Sequence, residues 1–296
     1  MSTAMNGGAG APVIAVAGDL VEDIVVWADD DIAYGTDTRS RIFRVRGGSA
    51  ANVATALAVH GGRPRLLTRV GDDGVGERLV SDLERVGVET RAQVAGTTGT
   101  IVILIDRSGE RTMLPDRATA KEVEPFDPSW LDGASRLHVP LYGFETTPEA
   151  AVFHGLCAEA TRREIPVSVD ASSAGLITWL GAERVRGILD EIGPQLVFAN
   201  DDEAALLGLD LVDPPAGRTV VIKHGGDPVV IRTGAERVEV AVPPIGEVTD
   251  TTGAGDHFAA GFLLAVADGA DPAAAAQRGI AAAARVLGQP GAHVTV

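Results

Sequence analysis

The chain has 296 residues, 45% hydrophobic and 22% charged, with a formal net charge of −16. This is a globular composition sized for one large α/β domain or a domain with an appendage, and its acidity argues against nucleic acid or an anionic membrane as partner. The single cysteine, Cys157, rules out an internal disulfide, and Gly, Pro or charge interrupts every apolar run before membrane-spanning length.

Residues 1–11 are small and polar, without a basic-then-apolar leader pattern, and read as a flexible tail of a cytoplasmic protein. Residues 13–17 are a continuous apolar run ending at Gly18-Asp19, the pattern of a buried parallel strand. Asp23 follows within a few residues, where a carboxylate near a strand end can accept polyol hydroxyl protons, although loop aspartates without a role are common. Residues 42–46 alternate apolar with basic, a strand with one wet face. Gly47 and Gly48 then form a natural hinge, Ser49 can cap a helix, and Asn52 lies near its first turn, within reach of a ligand hydroxyl. A plain glycine turn with an exposed Asn is the competing reading.

Residues 66–70 read as a strand, and Val75, Leu79, Leu83 and Val86 recur at helical spacing before Gly87. Residues 100–105 and 111–114 flank a turn at 106–110, a hairpin signal. From about residue 122 strands and helices alternate, predicting a parallel sheet covered on both faces. Segments 32–47 and 98–120 interrupt this rhythm and are expected to pair as a small β-sheet lid. The main domain is then 12–31, 48–97 and 121–296. A small exposed sheet often seeks a partner, so a homodimer through the lid is a further option.

Asn200-Asp201-Asp202-Glu203 follows a strand at 196–199 and could hold Mg²⁺ through water, or simply be an N-cap with an acidic first turn. Lys223 ends the strand at 219–223 and could neutralise phosphate charge, with Gly225 leaving backbone open for a nucleotide. The richest stretch is Asp250-Thr251-Thr252-Gly253-Ala254-Gly255-Asp256, ahead of an apolar helix pattern beginning near Phe258. Small residues at a helix start leave N–H groups open to an anion. A carboxylate placed there repels a phosphate unless it acts on the proton of an attacking hydroxyl. Together they suggest phosphoryl transfer to an alcohol.

The sequence resembles the ribokinase-like (PfkB) family of carbohydrate kinases. The resemblance rests on GGSAANVA at 47–54, on Val70-Gly71-Asp72-Asp73 with Gly76, on Asn200 with Glu203, and on DTTGAGDHFAAGF at 250–262. It implies a three-layer α/β/α sandwich with a mainly parallel sheet and a β-sheet lid, ATP as donor, Mg²⁺, and a sugar or nucleoside hydroxyl as acceptor. By motif, Asp256 would be the catalytic base and Gly253, Ala254 and Gly255 the anion hole. Asp23, Gly47, Gly48 and Asn52 would hold the acceptor. Asn200 and Glu203 would organise Mg²⁺ and phosphates, and Lys223, Gly225 and Thr251 would line the nucleotide. The resemblance also raises a monovalent cation such as K⁺, near the anion hole and residues 288–292.

Arg117, with Arg111, would suit a phosphorylated or carboxylated acceptor, although strand arginines are usually solvated. His257 stands where the family commonly has a small or hydroxyl residue, and would pair with Asp256 or point into solvent; Pro228 replaces a common glycine. Asp170 and Trp179 resemble a fructokinase segment whose intervening residues are here Ser172 and Ala174. A nicotinamide oxidoreductase fails because the Gly-x-Gly at 253–255 lacks its third glycine and comes late in the chain. A non-catalytic sugar-binding regulator is the other rival, and the retained Asp256 argues against it.

Overall fold

The structure is a computed structural model, and it describes residues 12–33, 35–244 and 253–287. In chain order the strands and helices are β1 (Val13–Ala17), β2 (Val21–Ala28), β3 (Ser40–Gly47), α1 (Ser49–Val59), β4 (Arg63–Val70), α2 (Gly74–Arg85), β5 (Glu89–Val94), β6 (Thr100–Ile105), β7 (Arg111–Asp116), β8 (Ala134–Pro140) and α3 (Thr147–Arg162). There follow β9 (Val167–Asp170), α4 (Ala174–Leu180), α5 (Ala182–Ile192), β10 (Leu196–Asn200), α6 (Asp201–Leu207), β11 (Thr219–Lys223), β12 (Val229–Thr233), β13 (Glu236–Val240), α7 (Ala254–Ala267) and α8 (Pro272–Ala284).

Nine strands form one sheet in the order β13-β12-β11-β10-β9-β8-β1-β4-β5, parallel except for the antiparallel β11–β12–β13 edge. Its strands are short apolar runs because both faces are covered. In β10, Leu196 and Phe198 enter the core under α1, α7 and α8, while Val197 and Ala199 enter the core under α3 and α5. That alternation makes the three layers. With few aromatic residues, the first core relies on Ala, Leu and Val around Phe198, whose ring meets Phe262 edge-on at 5.3 Å.

The strand order reverses at β1: the chain adds β4 and β5 on one side, then β8 to β11 on the other. Loops at such a reversal part and leave a crevice at the carboxyl ends of the strands. Asp19 follows β1, and Asp170, Asn200 and Lys223 end β9, β10 and β11. Sequence position thus brings four polar residues to one edge.

The small sheet has the order β3-β2-β6-β7. The sequence reading left residues 12–31 in the main domain and paired 32–47 with 98–120. Instead β2 lies between them, antiparallel to β3 and parallel to β6. Only residues 18–20 separate β1 from β2, too few for a helical crossover, so the chain leaves the large sheet there. Two contacts tie the small sheet to α2. Asp73, the N-cap of α2, accepts from Gly76 N at 2.8 Å and from Thr98 N and Oγ1 at 2.8 and 2.7 Å. Buried Glu22 of β2 accepts from Arg44 at 2.6 Å and from Arg78 of α2 at 2.5 Å.

Two further elements differ from expectation. The helix expected near Phe258 begins at Ala254, which brings Asp256 into its first turn. The N-cap of α1 is Gly48, not Ser49. One edge of the large sheet is the β12–β13 hairpin, with Pro228 in the turn before it. Among the described residues, no helix is long and apolar enough to cross a membrane.

Candidate active site

At the acceptor end, Asp23 of β2 is packed against Gly47. A Cβ at Gly47 would lie 2.0 Å from Asp23 Oδ1, so any side chain there would displace the carboxylate. Next to it Gly48 has φ 101, and a Cβ there would lie 2.4 Å from the Asp19 carbonyl. Asp23 Oδ1 is buried without a hydrogen-bond partner. Burial first, then the neighbouring Asp19 charge, pushes the Asp23 carboxyl up to about 7, while Arg46 and Arg117 pull it down. A buried acceptor atom with no donor in the protein suits a ligand hydroxyl.

α1 brings Ser49 and Asn52 to the same place. Ser49 Oγ donates to Asp256 Oδ1 at 3.4 Å, and the Asn52 side chain also hydrogen-bonds to Asp256. Asn52 Oδ1 in turn accepts from Arg46 at 3.3 Å. Burial, with a contribution from the Asp170 charge, pushes Asp256 up to about 7, against the pull of Lys223 and the Asn52 hydrogen bond. Beside it α7 opens with Gly253 as N-cap at φ 77, without a side-chain cap. The first N–H to bond back is that of His257, to Gly253 O at 2.9 Å. The N–H groups of Ala254, Gly255 and Asp256 therefore have no intrahelical acceptor. Lys223 Nζ lies 3.4 Å from where a Gly255 Cβ would stand, and it donates to Asp170 Oδ2 at 3.1 Å.

Asn200 and Glu203 meet in a capping box. Glu203 N donates to Asn200 Oδ1 at 3.0 Å, and Asn200 N and Nδ2 donate to Glu203 at 2.8 and 3.0 Å. The plain reading of this motif, an N-cap with an acidic first turn, is therefore present as geometry. Glu203 is nonetheless raised to about 7, by burial and then by Asp170, with Lys223 opposing. Three acids, Asp170, Glu203 and Asp256, thus surround one lysine, a setting that added positive charge would relieve. Among the described residues no three His, Cys, Asp or Glu side chains stand close enough to cage a metal.

Arg117 does not stand free for an acceptor anion. It pairs with Glu145 at 2.9 Å and with Asp19 at 3.6 Å, and its guanidinium lies 4.2 Å above the Tyr142 ring. Glu145 also binds Lys121 at 3.0 Å, and Glu149 alongside is raised to about 7, mainly by burial. Gly225 sits in the turn after β11 with open space where a Cβ would be. His257 is 2% exposed with its ring against His60, so it does not point into solvent. Thr251 and residues 288–292 lie outside the described residues.

Sequence reasoning placed no weight on Asp19, Arg46, Tyr142 or Glu145, and considered Asp170 only for a fructokinase likeness. Asp170 had a usable signal, since it is an acid ending a buried strand. A second cleft, about 500 Å³, lies between Pro243–Pro244 and the Ile280, Ala281 and Ala284 side of α8.

Fold and site define a class of protein: three-layer α/β/α molecules that bind small ligands at the carboxyl ends of a parallel sheet. The pfkB family carbohydrate kinase pattern matches residues 13–296, and the chain belongs to that family. It is accordingly a phosphotransferase acting on a hydroxyl, and kinase membership implies ATP. It is 32% identical to the ATP-dependent ribose-1-phosphate kinase of Halopiger xanaduensis, over 83% of this chain and 82% of that one. It is 28% identical to the bifunctional protein HldE of Mesorhizobium japonicum over 97% of this chain, which spans 61% of that longer protein. The crystal structure of adenosine kinase from Sinorhizobium meliloti superposes with a TM-score of 0.84 at 22% identity, covering 97% of each chain.

Proposed function

We propose that the protein is an ATP-dependent kinase of a hydroxyl on a sugar or sugar-like small molecule, with Asp256 as general base. One observation carries this reading. An acid raised to about 7 sits in the first turn of a helix whose leading amides are open, touching Ser49 and Asn52 on one side and close to Lys223 on the other. A base that titrates near neutral pH is matched to taking a hydroxyl proton.

In this mechanism Asp23 and Asn52 orient the acceptor, and Asp256 removes the proton of the attacking hydroxyl as the new P–O bond forms. The amides from Gly253 to Gly255 receive charge on the transferring phosphoryl group, and Lys223, steadied by Asp170, offsets charge beside them. Asn200, Glu203 and Asp170 would hold Mg²⁺ through water, and the ion would supply positive charge against the donor phosphates. The apolar cleft between Pro243–Pro244 and α8 is large enough for a nucleotide base. Closure of the small sheet would exclude water. Dimer formation through that sheet and a K⁺ requirement remain proposals.

The acceptor is uncharged on this reading. Arg117 is already held by Asp19 and Glu145, with Glu149 alongside, so an anionic substituent would meet more acid than base. A nucleoside is a second reading, supported by the face of the small sheet that carries Asp23. There Phe43, Val25, Ile103 and Met113 form an apolar row across all four strands.

ADP formation should be measured across pentoses, hexoses, nucleosides, hexose phosphates and ribose 1-phosphate. Acceptor-dependent turnover is expected, with kcat/KM for phosphorylated acceptors at least about tenfold below the best uncharged one. A sugar phosphate as best acceptor would overturn the Arg117 argument, and no acceptor-dependent ADP the kinase reading.

A further inference from the structure

α1 and α7 together build the acceptor end. Ser49 and Asn52 stand in the first turn of α1, and Asp256 in the first turn of α7. Ser49 Oγ donates to Asp256 at one end of α1. The next residue of α7, His257, reaches the other end. Its Nδ1 lies 3.1 Å from Nε2 of His60, the C-cap of α1, and the rings meet edge-on with centroids 5.3 Å apart and planes at 89°. One turn of α7 thus touches α1 at residue 49 and at residue 60.

We propose that the His60–His257 hydrogen bond is a strut that fixes the rotation of α7 about its axis and so aims Asp256 at the acceptor hydroxyl. His60 and His257 are then positioning residues, and the inference rests on the kinase reading above.

Consecutive helical side chains point about 100° apart. Holding residue 257 in direction therefore holds residue 256. Ser49 and Asn52 hold the Asp256 carboxyl itself, whereas the contact with His60 holds the neighbouring residue on another side of the same turn. The environment of His60 suits a single, directed hydrogen bond. Burial, then Arg285 at the C-cap of α8 and Arg278 within α8, hold it below the usual imidazole range and so keep it neutral. A neutral ring offers one donor and one acceptor nitrogen. Buried His257 has little room to turn away, with Phe258 and Ala259 following it into the core. A small displacement of a catalytic group costs far more in rate than in binding.

The alternative is that the two rings merely fill space. Leucine fills similar space without a hydrogen bond, and glutamine at 60 restores an amide near the position of Nε2. The experiment compares wild type, His60→Leu, His257→Leu, the double variant and His60→Gln. It measures kcat and both KM values with the best acceptor found for the wild type. The strut predicts that each leucine variant loses about ten- to a hundredfold in kcat with KM within about twofold. It predicts that the double variant is no worse than the more affected single, because both remove the same bond. His60→Gln should return kcat to within about threefold of wild type on the same reasoning.

Unchanged kcat in His60→Leu, losses that multiply in the double variant, or no recovery with glutamine would each overturn the strut while leaving the kinase reading intact. An inactive wild type would sink that reading and the strut with it. Should His257→Leu fail to fold, the two variants at half-buried His60 still decide.

Discussion

α6 and α7 both begin beside the crevice, yet their N-termini are finished in opposite ways. α6 closes on itself: Asn200 and Glu203 satisfy each other's backbone N–H, and Asp201 and Asp202 share the first turn. α7 starts from a left-handed glycine with no side-chain cap and has one acid, Asp256, in its first turn. A helix start gains about 1 kcal/mol from a good cap, so leaving one uncapped is a local loss. The difference separates two uses of the same geometry. The capped terminus offers only its side chains, whereas the open one offers amides to a charge that arrives from outside.

The sharpest way to break this contrast is at Asp256. Asp256→Asn should lower kcat at least about a hundredfold while ATP binding, read by calorimetry, stays within about threefold. In the wild type, kcat/KM should fall about tenfold per pH unit below pH 7, since the base must be unprotonated and its pKa lies at about 7. The stability sign is opposite to the usual carboxylate case. Its folded pKa lies above the unfolded value near 3.8, so its contribution is present below pH 3.8 and is lost as pH rises through 7. Asp256→Asn should therefore raise Tm at pH 8.

A smaller loss is expected from Gly253→Ala. At φ 77 an alanine costs about 1–3 kcal/mol of strain, and it would turn the amides of α7. Its kcat should fall about ten- to a hundredfold. If Gly253→Ala were as active as wild type, the open terminus would lose its role.

The smallest effect should come from α6. Asn200→Ala removes the Asn200 side-chain half of the capping box, leaving its backbone N–H on Glu203, and should cost about 1 kcal/mol in urea unfolding. The Mg²⁺ concentration for half-maximal rate should rise, with saturating kcat reduced less than about tenfold. A hundredfold loss at saturating Mg²⁺ would move the anion site to α6 and erase the contrast.

Much of this was legible in sequence for a physical reason. Buried parallel strands and glycine-rich helix starts leave local signatures, and so β1, β9 to β11 and the 253–256 stretch could be read directly. What local patterns miss is convergence. Arg117 reads as an exposed strand arginine until Asp19 from one segment, and Tyr142 and Glu145 from another, arrive to enclose it. Ser49 and Arg46 gain meaning only because α7 returns, some two hundred residues later, to place Asp256 beside them. β2 was missed because VEDIVVWA mixes acids with apolar residues and follows β1 without a strong turn signal, yet its pairing partners supply the rest. Nothing in the local pattern joins His60 to His257 either, since the two lie on different helices.

The most direct measurement is a crystal structure with ADP, Mg²⁺, an acceptor and tetrafluoroaluminate standing in for the transferring phosphoryl group. The account predicts fluorines about 2.7–3.1 Å from the amides of Ala254, Gly255 or Asp256, with an acceptor hydroxyl against Asp256. An aluminate seated on α6, or an acceptor whose hydroxyls all lie away from Asp256, would contradict it.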